Sequence, residues 1–312
     1  MRKKLLGLCL VLSLGVLSAC GKGDSTGAEP ESVQAVVEAT TEQDTVEPTS
    51  EGVTVSEETT TSEPEIKTVY LLSKEVHYGG DTELLLFTEY EYNDQGNLIK
   101  KTGYDETGAV SDVMEYDIHG NQISEIYYRE GSVDLALEYK NEYDDKGCMV
   151  KTTVTFIDDG ALRNTMEYEY DSKGNLIKEV EYFADGNEGS VCEYDDKGNM
   201  TKLIVRIQSV SGEIVSYSPN TTEYEYDSHD NITKQTTYTE EGTFVYVKEY
   251  EYDDDRIMKK TNYEEDGSLY SVMEYEYDSH DNLIKEVSYD EDGSEDYIIE
   301  YEYIAMELAA EQ

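Results

Sequence analysis

The sequence predicts an all-β protein: an antiparallel meander of about eight tandem β-hairpin repeats, coiled as a single-layer sheet or open spiral, behind a disordered N-terminal tether. Three observations predict it. One phrase returns along the chain, most plainly as Glu167-Tyr168-Glu169-Tyr170-Asp171-Ser172-Lys173-Gly174-Asn175-Leu176-Ile177-Lys178. On either side of its Asp-x-x-Gly centre, aromatic or aliphatic residues alternate with charged ones at the period of a strand. The stretch before the repeats is rich in Thr, Glu and Ser and has too little apolar surface to offset its ordering entropy.

Residues 1–20 are an address. Arg2, Lys3 and Lys4 lead into the apolar run Leu5 to Leu17, a secretory signal too short to span a bilayer as a helix. It ends in Leu17-Ser18-Ala19-Cys20-Gly21, which resembles the lipobox of bacterial lipoproteins. That resemblance implies lipidation of Cys20, export, and anchoring to the outer face of the bacterial cell membrane; two acyl chains hold stably where one does not. Residues 21–66 are the acidic tether, with Pro30, Pro48 and Pro64, and its mean reach is about 35–40 Å.

The repeat array occupies residues 67–303, with 304–312 as a tail. Its phase is carried by the tyrosine before each turn, at Tyr92, Tyr116, Tyr143, Tyr170, Tyr194, Tyr226, Tyr252, Tyr277 and Tyr303, spaced 24 to 32 residues apart. Self-similarity at this period marks units that bury their faces only against neighbours. The segment Leu72 to Tyr78 matches Leu283 to Tyr289, so the array begins before its first full phrase.

Asp-x-x-Gly predicts a type I turn followed by a left-handed residue, supplied by glycines such as Gly174 and by Asp230 and Asp281 in two units. The shorter turn at Asp253-Asp254-Asp255 differs in type. Counting outward pairs Tyr170 with Leu176, Glu169 with Ile177, Tyr168 with Lys178 and Glu167 with Glu179. This puts Tyr168, Tyr170, Leu176, Lys178 and Val180 on one face and Glu167, Glu169, Ile177, Glu179 and Glu181 on the other. The repeat lysines, Lys74, Lys100, Lys151, Lys178, Lys202, Lys234, Lys259 and Lys285, are thereby expected on the aromatic face, which must then be partly hydrated. Asp-Gly turns such as Asp266-Gly267 return the chain, giving sixteen to eighteen strands that must coil, close or stack; we expect coiling.

The Tyr-x-Tyr-Asp-x-x-Gly-Asn-Leu units resemble the YD repeats of RHS and teneurin-type proteins, which implies hairpins coiled into β-sheet shells. The unit here is longer than the common YD repeat, and delivery of an encapsulated toxin is not expected.

Function classes narrow by charge. With 71 acidic against 24 basic residues and a net charge of −47, nucleic acid is not expected as a partner. Paired carboxylates such as Glu274 and Glu276 recur in every unit, which suits a solvated face better than one catalytic centre. No catalytic residue, cofactor or metal is expected; His119, His229 and His280 share a turn position without ligand spacing. Cys148 and Cys192 lie nearly two repeats apart and need not pair. The tyrosines offer binding platforms, with Tyr168, Tyr170, Tyr275, Tyr277 and, in the longer insertion between Gln208 and Thr222, Tyr217 as candidates. The reading is a non-enzymatic surface lipoprotein that binds a cell-wall or host glycan or protein, or acts as an envelope spacer. A carboxylate-dependent glycan-active enzyme and a structural or antigenic coat protein are the alternatives.

Overall fold

The computed structural model describes residues 66–208, 214–216, 220–239 and 241–309; Cys20, Tyr217 and nearly all of the tether lie outside them. Among the described residues nineteen strands follow one another: β1 Ile66–Gly79, β2 Leu84–Tyr92, β3 Leu98–Asp105, β4 Val110–Tyr116, β5 Gln122–Arg129, β6 Ser132–Tyr143, β7 Met149–Phe156, β8 Leu162–Tyr170, β9 Leu176–Phe183, β10 Glu188–Tyr194, β11 Met200–Gln208, β12 Ile214–Ser216, β13 Asn220–Tyr226, β14 Ile232–Thr239, β15 Phe244–Asp253, β16 Arg256–Tyr263, β17 Leu269–Tyr277, β18 Leu283–Asp290 and β19 Glu295–Ala309. Leaving β12 aside, each pairs antiparallel with the strands before and after it, β11 with β13, and β1 pairs with both β2 and β19. The sheet is therefore a closed barrel of eighteen strands, with β12, among the described residues, paired to the end of β11 alone. The expected open spiral of about eight hairpins is corrected to a ring.

The closure has a local cause. β1 is the outgoing half of a repeat and β19 the incoming half, and they meet as a hairpin that lacks its turn. Tyr303 faces Leu72 and Glu302 faces Lys74, the register in which Tyr170 faces Leu176 and Glu169 faces Lys178. Beyond that point Ile66 to Leu71 and Ile304 to Ala309 run on as a paired ribbon, so most of the expected tail is strand. The ribbon leans on the flanking turns: Tyr70 packs on His280 with ring centroids 4.3 Å apart, and the Leu71 and Leu308 side chains sit over Gly96.

The turns form as the residues dictate. The Asp171 N–H donates to the Asn175 carbonyl at 2.9 Å and the Gly174 N–H to the Asp171 carbonyl at 3.1 Å. Asp171 Oδ1 accepts the Lys173 and Asn175 N–H groups, and Gly174 has φ 93°. Asp230 and Asp281 adopt the same left-handed region, as does Asp254 in the shorter turn.

The register departs from expectation one residue further out. Tyr170 faces Leu176, but Glu169 then faces Lys178 and Tyr168 faces Glu179, because Ile177 is an extra, bulged residue. A bulge shifts the count by one, and with a side-chain period of two it exchanges the faces of everything beyond. The lysines thus belong to the acidic face, and Glu179 and Glu181 to the tyrosine face. Every such hairpin carries this shift, from Glu91/Tyr92 to Glu276/Tyr277. Repeated bulges add twist and bend, the curvature a ring needs.

A tyrosine and carboxylate belt on the lumen face

Two faces of the wall can now be populated from the sequence upward. On the acidic face the repeat lysine reaches the glutamate beside it: Lys100 to Glu91 at 3.2 Å, Lys151 to Glu167 at 3.3 Å, Lys178 to Glu169 at 3.4 Å, Lys202 to Glu193 at 3.2 Å and Lys259 to Glu251 at 3.3 Å. Exposed pairs of this kind contribute at most about 1 kcal/mol each, but they break up the rows of like charge.

On the opposite face the residue after each lysine, or after Ser124 in the unit that lacks one, forms a belt: Glu75, Lys101, Glu125, Thr152, Glu179, Leu203, Gln235, Lys260 and Glu286. Tyrosine hydroxyls tie it together. Tyr90 donates to Glu75 at 2.7 Å, Tyr194 to Glu179 at 3.3 Å, Tyr301 to Glu286 at 2.8 Å and Tyr250 to Gln235 at 3.1 Å. Tyr127 and Tyr139 both donate to Glu125. Side chains converge on the concave side of a closed wall, and the three with only 1% exposure, Leu137, Val154 and Thr237, all share this face. That assigns the belt to the lumen.

Burial sets the titration of these groups. It holds the Glu286 and Glu179 carboxyls above the usual range, with the charge of Glu75 adding at Glu286 and that of Glu181 at Glu179, against the hydrogen bonds from Tyr301 and Tyr194. At Glu75 burial also pushes upward, but the hydrogen bonds from His77 and Tyr90 and the charges of His77 and Lys101 outweigh it and leave the carboxyl below its ordinary value. Burial lowers Lys101, opposed by Glu75. Cys192 is a buried free thiol that desolvation pushes up to about 11, so it is an inert packing residue.

The pre-turn tyrosines form a second row. Tyr92, Tyr170, Tyr252, Tyr277 and Tyr303 donate to the main-chain carbonyls of Leu72, Met149, Ile232, Ile257 and Leu283, at 2.8 to 2.9 Å. Each acceptor sits at the bulge of the preceding hairpin. The hydroxyl supplies a partner where the ladder is disrupted, and this locks unit to unit.

The four described tyrosines singled out from the sequence all lie on this lumen face. Tyr168, Tyr170 and Tyr277 are half-buried. Tyr275 is 7% exposed in a cluster with Ile232, Tyr250 and Ile257, and its ring is core rather than platform. Sequence reasoning missed the belt because the bulge hides it. Glu179 and Glu181 are consecutive lumen-facing acids, Glu181 accepting from Asn164 Nδ2 at 2.6 Å and from Ser190 at 3.2 Å. Among the described residues no group of three His, Cys, Asp or Glu side chains is placed to hold a metal.

No family model and no curated protein matches the sequence. Solved structures similar to it include the complex TcdB2-TccC3-Cdc42, at 14% identity over 79% of this chain and 16% of that one with a TM-score of 0.32. They also include porin-like proteins from Bacteroides uniformis and Bacteroides vulgatus, each 12% identical over 75% of this chain and 98% of theirs, with TM-scores of 0.37 and 0.31. The chain spans about a sixth of the toxin chain. Likenesses this remote carry no function to it.

Proposed function

We propose that the protein is a non-enzymatic, exported lipoprotein, held at the outer face of the bacterial membrane through Cys20, that displays a closed acidic β-barrel to an extracellular or cell-wall ligand, glycan or protein, or serves as an envelope spacer. One observation carries the reading: neither face of the wall is apolar. The acidic face bears Lys–Glu pairs along its strands, and the lumen face bears Glu75, Lys101, Glu125, Glu179, Lys260 and Glu286 at mid-strand. A barrel that spans a bilayer needs an outward apolar band, and mid-strand Lys at the bilayer midplane costs about 2–4 kcal/mol each. This barrel belongs in water, and the lipid attaches it. Cys20→Ala should move the protein from the membrane fraction to the medium or leave the precursor uncleaved, and the released chain should retain a ligand on glycan and peptide arrays. Unchanged membrane partitioning would count against the anchor; blank arrays would reduce the display reading to a spacer.

A second reading, a carboxylate-dependent glycan-active enzyme, is favoured by Glu179 and Glu181, which the bulge brings onto the lumen face together. Hydrolysis of cell-wall glycans abolished by Glu181→Gln would establish it.

A further inference from the structure

The outer, acidic face carries one stretch of uniform register. Lys234 faces Glu249, Lys259 faces Glu274, Lys285 faces Glu300 and Lys74 faces Glu89, each glutamate three residues before a pre-turn tyrosine. Other junctions differ: Lys100 faces Glu115 and Lys178 faces Glu193, one residue before that tyrosine, and Ser124 faces Glu138, five before it. The uniform stretch runs from β14 through the β1–β19 pairing to β3, so it exists only in the closed ring. Four residues beyond each lysine, on the same face by the period of two, stands a tyrosine: Tyr238, Tyr263, Tyr289, Tyr78 and, after Lys100, Tyr104. Lys259 faces Glu251 within its own hairpin and Lys234 faces Glu249, two residues back. Successive tyrosines are therefore two strand spacings apart across the sheet and two residues apart along it, about 12 Å. Thr155 and Arg206 occupy the same position on β7 and β11, so the row is an arc and not a complete band, and Tyr182 on β9 stands alone between them.

Between the lysine row and the tyrosine row lies a floor of short side chains, with Thr261, Val287, Val76 and Thr102 all buried. The tyrosines beside it are half-buried and stand between apolar neighbours, Tyr263 between Val247 and Leu269 and Tyr78 between Ile298 and Leu84. At the far end the Tyr104 ring stacks on Phe87 with centroids 4.5 Å apart, and its hydroxyl donates to Glu89 at 3.2 Å. Over Thr261 the rows enclose a groove of ≈ 670 Å³ lined by Lys234, Glu249, Glu251, Lys259, Tyr263 and Leu269. It shares Glu225 and Lys234 with a second groove of ≈ 680 Å³ that runs on past Thr236 to Tyr238 and Phe244. The lysines above the floor are matched by carboxylates: Lys259 lies 3.3 Å from Glu251, Lys100 3.2 Å from Glu91, and Lys234 3.9 Å from Glu225 and 4.0 Å from Glu249.

We infer that this arc binds a neutral, linear polysaccharide laid across the strands from tyrosine to tyrosine. A sugar ring has an apolar C–H face and a rim of hydroxyls, and each repeat of the arc offers the matching pair: an amphipathic ring beside aliphatic side chains, and a row of donors and acceptors held in ion pairs. Charge selects among polymers. An anionic chain meets a protein of net charge −47, and a polycation is drawn to the whole acidic surface and not to this arc, whereas a neutral chain gains only where rings and paired polar groups recur together. The even spacing lets one chain engage several repeats at once, so weak single contacts multiply. The inference rests on the display reading and names its ligand class.

The test is calorimetric titration of the purified full-length chain with cellohexaose, chitohexaose and mannohexaose. Saturable binding of at least one is expected, weakened about tenfold by the double change Tyr263→Ala, Tyr289→Ala and not by Tyr182→Ala, the same repeat position without tyrosine neighbours. On the unaltered chain the hexasaccharide should bind about tenfold or more tightly than the disaccharide of the same sugar, because only the longer chain bridges two repeats, a readout independent of how any variant folds. Equal loss from the double variant and from Tyr182→Ala, or equal affinity for the two lengths, would overturn the arc as the site. Absence of binding by all three hexasaccharides would overturn the ligand class, and capture of peptides on an array in that case would leave the display reading standing.

Discussion

A tyrosine ring fills space, but the pre-turn hydroxyl also reaches a main-chain carbonyl at a bulge, and the two roles separate by substitution. Tyr277→Phe keeps the ring and removes the donor to the Ile257 carbonyl. Leaving that acceptor without its partner should cost about 1–3 kcal/mol, whereas Tyr270→Phe, at a side chain 61% exposed, should stay within about 0.5 kcal/mol. Urea denaturation of the two variants decides; equal midpoints would remove the hydroxyl from the account. Glu286 gives a second test. Its folded carboxyl titrates above the usual range, so in that window the native state holds more protons than the unfolded one and stability falls as pH rises through it. Glu286→Gln keeps an acceptor for Tyr301, as Gln235 does for Tyr250. It should raise the melting temperature at neutral pH and flatten the loss of stability between the ordinary glutamate range and neutrality. Glu75 has the opposite sign: its stabilisation is present above the ordinary range and is lost as pH falls through the depressed value.

At the scale of the hairpin, the sequence announced the turn and concealed the bulge. Asp171, Gly174 and Asn175 have side-chain and backbone chemistry that leaves little choice, and the facing of Tyr170 and Leu176 followed from it. The bulged Ile177 is one aliphatic residue beside another, with no compositional mark. The signal available was indirect: a lysine at one register in unit after unit fits poorly on an aromatic face, and a one-residue shift sends it to the glutamates. The belt of Glu75, Glu125, Glu179 and Glu286 became visible only with that shift, so the lumen site was illegible although every one of its residues was in plain sight. The turn itself is testable. Gly174→Val places a β-branched side chain at φ 93° and should destabilise by about 1–3 kcal/mol. Ser172→Val, in the permissive part of the same turn, should be nearly silent in the same denaturation series, and a comparable loss there would refute the assigned geometry.

For the whole molecule, what the sequence left open was closure, because the joining strands stand at opposite ends of the array and no local pattern links them. The phase did contain the answer in one respect: the array opens on an outgoing half-unit at Leu72 and closes on an incoming one at Tyr303, so each lacks the partner that the other supplies. An open sheet would leave two long edges with unpaired N–H and C=O groups, which closure removes. The register makes this checkable. Thr68 and Glu307 are direct partners across the β1–β19 junction, so cysteines placed at both positions should form a disulfide within one chain under mild oxidation. Antiparallel partners of this kind lie about 4.5–5.5 Å apart between Cα atoms, within disulfide reach. The bond would restrain a loop of more than two hundred residues, and on loop-closure grounds it should stabilise by up to about 4–5 kcal/mol, lessened by any strain in the native bond. Non-reducing peptide mapping should recover the 68–307 link in the monomer fraction, with a melting temperature that falls on reduction. Cross-links found only between chains, or none at all, would mean that the wall is open in solution.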